Sequence, residues 1–194
     1  MCSGGMIVFV HGYDGSGPGH WQRWLEDELR QRGVPVAFPD LPEPTAPDRD
    51  RWVAALAGVV SGAPAPVVLV CHSLGCWAVD HFLTEHGTAK VRAVLLVAPP
   101  SPYLLFEPVE TFLPPPCRPE VWAPLAERTL LVGSDNDDFT SPEELEDIAG
   151  KLGVRLQVIA GARHINVESG YGPWPLVLEW LTHEASMETR PAGV

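Results

Sequence analysis

Val67-Val68-Leu69-Val70-Cys71-His72-Ser73-Leu74-Gly75 is the stretch on which the reading of this chain turns. Val67–Cys71 is apolar at every position, the pattern of a strand buried on both faces of a parallel sheet. Leu74–His86 reads as a helix and stops at Gly87. A strand that passes into a helix through one serine is the setting of a nucleophile elbow, a sharp turn that lifts the hydroxyl out of the sheet. Such a turn is crowded, so small residues are needed two positions before and two after Ser73. Gly75 meets that demand; Cys71 is small enough, although glycine is commoner there.

Outward from this unit the chain repeats the same alternation. Strands are expected at Met6–Val10, Val34–Phe38, Val91–Val97, Thr129–Val132 and Val154–Ile159. Helices are expected over His20–Arg32, from the N-cap Asp48 through Val60, over Ser141–Leu152 and over Trp174–His183. Ser141, Pro142 and Glu144 form a capping-box signature. Strands alternating with helices imply an α/β fold with about six parallel strands and helices on both faces. At 194 residues this is one domain over 1–185, with 186–194 as a flexible tail and no room for a large cap. The irregular stretch is the proline- and aromatic-rich excursion 98–127, which reads as a short lid or binding loop.

Composition narrows the partners. Thirteen Lys and Arg stand against 25 Asp and Glu, and the formal charge is -12. The basic residues are scattered, so neither nucleic acid nor an anionic membrane surface is an expected partner. The longest apolar runs fall far short of the ~18 residues of a spanning helix, and the start of the chain lacks the pattern of a signal peptide. Cys2, Cys71, Cys76 and Cys117 show no disulfide-framework or C-x-x-C spacing, which points to reduced thiols and a cytoplasmic protein.

The ends of the strands carry the reactive residues. In doubly wound sheets the functional crevice lies outside the carboxyl ends of the strands. Ser73 follows the third strand. Ser134-Asp135-Asn136-Asp137-Asp138 follows the fifth, and Gly161-Ala162-Arg163-His164 follows the sixth. A serine needs a base, and the base needs an orienting acid; the order Ser, Asp, His is that of α/β-hydrolases. Backbone amides should hold the oxyanion: Leu74 at the helix start, and in the loop His11-Gly12-Tyr13 the amide of Tyr13, with Gly12 next.

The sequence resembles the small serine hydrolases that include retinoblastoma-binding protein nine and many bacterial homologues. The likeness runs through His20-Trp21-Gln22, Cys71–Cys76, Ala98-Pro99-Pro100, Ser134-Asp135-Asn136-Asp137, and His164-Ile165-Asn166 to Gly172-Pro173-Trp174. It implies a compact α/β-hydrolase fold, no cofactor, tolerance of Cys71, and a triad of Ser73, Asp137 and His164. The family usually has proline after the acid where this chain has Asp138, which leaves Asp135 and Asp138 as rivals. The L-x-C-x-E motif for retinoblastoma protein is absent, so that interaction is not implied.

The expected activity is hydrolysis of a small carboxylic ester, with thioesters or amides as variants, through an acyl-enzyme. The competing expectation is a weakly active or inactive hydrolase-fold protein that serves as a binding or regulatory module. The protein should act on a small-molecule acyl substrate as a monomer or small homo-oligomer. His11, Gly12, His72, Tyr103 and Phe106 are candidate substrate contacts; Phe112 and Trp122 are read either as packing or as pocket lining. No metal is expected, because Phe139 and Thr140 break the pattern of a calcium loop. Aspartates beside the triad should disfavour strongly anionic substrates.

Overall fold

The computed structural model describes residues 5–186. Cys2 and the expected tail from 187 onward lie outside the described residues, and Ser186, assigned to that tail, closes the last helix. Six strands form one sheet: β1 (Ile7–Val10), β2 (Val36–Ala37), β3 (Val67–His72), β4 (Val91–Val97), β5 (Thr129–Ser134) and β6 (Arg155–Ile159). All neighbours are parallel, in the order β2-β1-β3-β4-β5-β6. The helices are α1 (Trp21–Gln31), α2 (Arg49–Gly62), α3 (Leu74–His86), α4 (Pro119–Trp122), α5 (Pro142–Leu152) and α6 (Pro175–Ser186). No helix among the described residues is long and apolar enough to cross a membrane.

The period-two rule of strands divides the core. Val8 and Val10 of β1 and Val67, Leu69 and Cys71 of β3 join α2, α3 and α5 in one layer. Ile7 and Phe9, with Val68 and Val70, join α1 and α6 in the other. The chain leaves β1 for β2 on one side and returns to β3 on the other. The sheet order therefore reverses between β1 and β3, and a crevice opens at their carboxyl ends.

Two expectations change. The second strand is only two residues long, not Val34–Phe38. Pro35 and Pro39 bracket it and supply no N–H, while Phe38 turns away to stack on Phe9 at 5.1 Å beneath the Arg23 guanidinium. The excursion 98–127 is in part core. Val109, Phe112, Trp122 and Leu125 are buried against α3 and its neighbours, and a fully buried phenylalanine contributes about 2 kcal/mol. Asp80 and His81 of α3 pin this packed half. Asp80 accepts from Trp122 Nε1 at 2.7 Å and from the Cys117 amide at 2.8 Å, and His81 Nε2 lies 3.0 Å from the Phe112 carbonyl oxygen. Burial raises the Asp80 carboxyl above its ordinary range.

Candidate active site

Ser73 stands at the crevice in a strained turn. Its φ of 51° and ψ of -126° are unfavourable for a residue with a Cβ. Two glycines make the turn possible. A Cβ on Gly75 would lie 2.5 Å from the Val10 carbonyl oxygen, so α3 could not start so close to β1. A Cβ on Gly12 would lie 2.8 Å from the Ser73 Cβ. Gly12 thus abuts the serine itself. Among the described residues Asp14, Ser73, Ala98, Arg163 and Ile165 have positive φ and lie shortly past the ends of β1, β3, β4 and β6. Backbone strain gathers at the rim where the reactive residues meet.

Across the crevice, His164 Nε2 is 2.9 Å from Ser73 Oγ. Its Nδ1 is 2.9 Å from Asp137 Oδ2 and 3.1 Å from Oδ1. A carboxylate only accepts, so Nδ1 carries the proton and Nε2 is bare toward the serine hydroxyl. The Asp137 side chain is 0% exposed and that of His164 13%, so the pair is shielded from water. The Phe139 amide donates to Asp137 Oδ1 at 3.0 Å and fixes the carboxylate plane.

The rival aspartates have other partners. Asp135 accepts from the Gly161 amide at 2.7 Å, and Asp138 faces Arg163 at 3.7 Å on the exposed side. Asn136 Oδ1 accepts from Ser134 Oγ and from the Arg163 amide, each at 2.8 Å. Ser134-Asp135-Asn136 therefore ties the acid loop to the base loop, and Asp137 alone of the three aspartates touches His164.

The candidate oxyanion amides belong to the start of α3 and to the loop after β1. Leu74 opens α3, where the first amides of a helix have no partner within it. In the β1 loop the Asp14 amide is bonded to the Pro44 carbonyl and the Gly15 amide to that of Gly12. The candidate substrate residues divide. Tyr103 and Phe106 are 68% and 42% exposed, and Phe106 meets the Tyr13 ring edge-on at 5.2 Å. His11 and His72 are buried instead, at 5% and 4% exposure. His11 packs edge-on to Trp52 at 5.2 Å, and His72 packs beneath the His164 loop. Burial lowers the basicity of both rings. Burial likewise pushes the Cys71 and Cys76 thiols up, as befits apolar packing rather than reactivity.

One ring at the site escaped the sequence reading. Phe139 is 44% exposed and meets the His164 ring at 4.6 Å, edge to face. Its neighbour Asp137 is the only hint the sequence offers. Among the described residues no group of three or more His, Cys, Asp or Glu side chains is arranged to hold a metal ion.

A serine at an elbow, a histidine at hydrogen-bond distance and a buried aspartate behind it, on a six-stranded parallel sheet, define an α/β-hydrolase. Residues 7–183 match the family model described as "Serine hydrolase", and the chain belongs to that family. YdeN of Bacillus subtilis (strain 168) is 25% identical over 186 residues, which are 95% of this chain and 98% of that one. The crystal structure of the B. subtilis ydeN gene product superposes with a TM-score of 0.81 over 93% of this chain and 98% of its own, at 24% identity. A YdeN-like protein of Pectobacterium atrosepticum is 27% identical, with a TM-score of 0.73 over 94% of this chain and 91% of that one. The methylesterase MES16 of Arabidopsis shares the fold at 18% identity, with a TM-score of 0.66 over 94% of this chain and 99% of its own.

Proposed function

We propose that the protein hydrolyses a small carboxylic ester with an apolar acyl group, through an acyl-enzyme on Ser73. The observation that carries this reading is the line of contacts from Ser73 Oγ through His164 to Asp137. Ser73 Oγ attacks the acyl carbon while His164 Nε2 takes its proton, and Asp137 offsets the imidazolium charge. The amides of Leu74 and Tyr13 hold the oxyanion. Collapse expels the alcohol, which takes the proton from His164, and water then repeats the sequence to release the acid. These steps use no cofactor.

The apolar preference rests on the rim. Of the six large apolar side chains exposed among the described residues, Tyr103, Leu105, Phe106 and Phe139 belong to the two segments beside the serine. Phe106 packs on Tyr13, which follows the Gly12 that abuts Ser73, and Phe139 packs on His164. Exposed apolar surface gathered at a reactive residue is what an acyl chain would cover. Asp135 and Asp138, both exposed, would repel an anionic substrate. We further assign residues 5–186 to one domain, with Tyr103–Phe106 as its short lid and no larger cap. A nitrophenyl ester panel with a fluorophosphonate probe tests the reading. Turnover and labelling are expected in the wild type and lost in Ser73→Ala, and mass spectrometry should find the acyl group on Ser73. A wild type that folds but never reacts with the probe would instead indicate a binding module.

A further inference from the structure

The steps above leave unused the histidine that precedes the nucleophile and the His20-Trp21 pair that opens α1. These residues form a buried row. The His20 and His72 ring centroids are 4.8 Å apart, those of His72 and His164 are 5.1 Å apart, and Trp21 meets His72 edge-on at 6.0 Å. His20 and His72 are each 4% exposed and Trp21 is fully buried. His72 Nε2 lies 3.0 Å from the His164 carbonyl oxygen. A carbonyl can only accept, so His72 carries its proton on Nε2 and is bare at Nδ1. His20 is fixed in the same sense: its Nδ1 accepts from the Gln22 amide at 3.2 Å as the N-cap of α1. Gln22 in turn donates to the carbonyls of Val10 and Val70, so the row is anchored to the ends of β1 and β3.

The base itself sits on a turn that needs such an anchor. Arg163 and Ile165, on either side of it, have φ of 51° and 50°, a region costly for residues with a Cβ. From here we infer that His72 is a positioning residue for the base. Its Nε2–H holds the backbone carbonyl of His164, which keeps the His164 ring spanning Ser73 and Asp137, while His20 and Trp21 hold the His72 ring in place. This rests on the hydrolase reading above. It gives the residue before the nucleophile a role in orienting the base, with no contact to substrate.

The test compares wild type, His72→Phe, which removes the donor but keeps a ring, and His72→Gln, whose amide can reach the same carbonyl. His72→Phe should lower kcat by about tenfold to a hundredfold with KM nearly unchanged, the cost of misplacing a catalytic group by about 1 Å. The acid limb of its rate–pH profile should move to lower pH, because His164 loses alignment with Asp137. His72→Gln should recover most of kcat and restore the limb. A His72→Phe protein with wild-type kcat and pH limb would overturn the inference. So would a glutamine variant no better than phenylalanine when both melt like the wild type. Nitrogen-15 NMR of the unaltered protein is independent of how the variants fold. It should show His72 protonated at Nε2 in slow exchange, and the opposite tautomer would overturn the inference. Absence of any fluorophosphonate labelling in the wild type would defeat the hydrolase reading itself, which keeps the two failures distinct.

Discussion

The acid–base loops and the Tyr103–Phe106 segment share one rim of the sheet but are built in opposite ways. Between Ser134 and Asp138 on one side and Gly161 and His164 on the other, every side chain near the base is bonded: Asp135 to Gly161, Asn136 to Arg163, Asp137 to His164. At Tyr103–Phe106 the rings face solvent, and Leu105 is 98% exposed. The first region fixes a geometry in advance, which is where catalysis gains most from rigid dipoles and oriented groups. The second offers apolar area without a fixed shape. Changes in the bonded loops should therefore appear in kcat, and changes in the open segment in KM.

The sharpest break of that contrast is at the acid. Asp137→Asn preserves the shape but favours the wrong tautomer of His164, and should lower kcat by about 10³–10⁴-fold. Asp135→Asn should cost far less, because it weakens only the tie to the Gly161 amide. Steady-state kinetics on both variants decides between them, and the reverse order would move the acid to Asp135.

Acid should next loosen the buried histidines that lie behind the bonded region. Burial and the neighbouring His164 lower the His20 pKa from 6.5 to about 4. His20 is therefore neutral in the folded state and protonated in the unfolded state between those values. The unfolded state binds more protons there, so stability is full above pH 6.5 and falls as pH drops toward 4. A shift of this size is worth about 3 kcal/mol by linkage. His11 and His72 are shifted the same way and add to the slope. Urea titrations at pH 7.5 and 4.5 measure the loss. His20→Asn keeps an N-cap acceptor and should flatten the pH dependence.

The contrast also explains which features were legible in the sequence. The fold was, because buried parallel strands are apolar and Ser141, Glu144 and Asp48 mark helix starts by local hydrogen bonding, with Pro142 adding its fixed φ at the first helical position. Ser73 and His164 were, because strand order places them on one rim. Asp137 was separable from Asp135 and Asp138 only by resemblance, since the choice depends on how two distant loops meet. The packing of His72 also had a signal: the period of two puts it on the face of Val68 and Val70, toward Trp21. In the excursion, composition could not separate Phe112 and Trp122, which are core, from Tyr103 and Phe106, which are rim. What separates them is α3, whose Asp80 and His81 grip one half and leave the other free.

The two smallest effects test the open side. Phe139 touches both regions: its amide holds Asp137, while its ring leans on His164 and is 44% exposed. Phe139→Ala keeps the amide and removes the ring. It should raise KM for longer acyl esters by about tenfold or more and change kcat little, because a lost apolar contact in a pocket is worth about 1–3 kcal/mol. Leu105→Ser should have the mildest consequence. Its side chain is almost fully exposed, so stability should stay within about 0.5 kcal/mol. If Leu105 covers the acyl chain, KM should rise for long esters and not for acetate esters. An equal rise for both would mean that Leu105 acts by shaping the segment. No change for either would place the acyl chain on the Phe139 side alone and leave the exposure of Leu105 without a role in recognition.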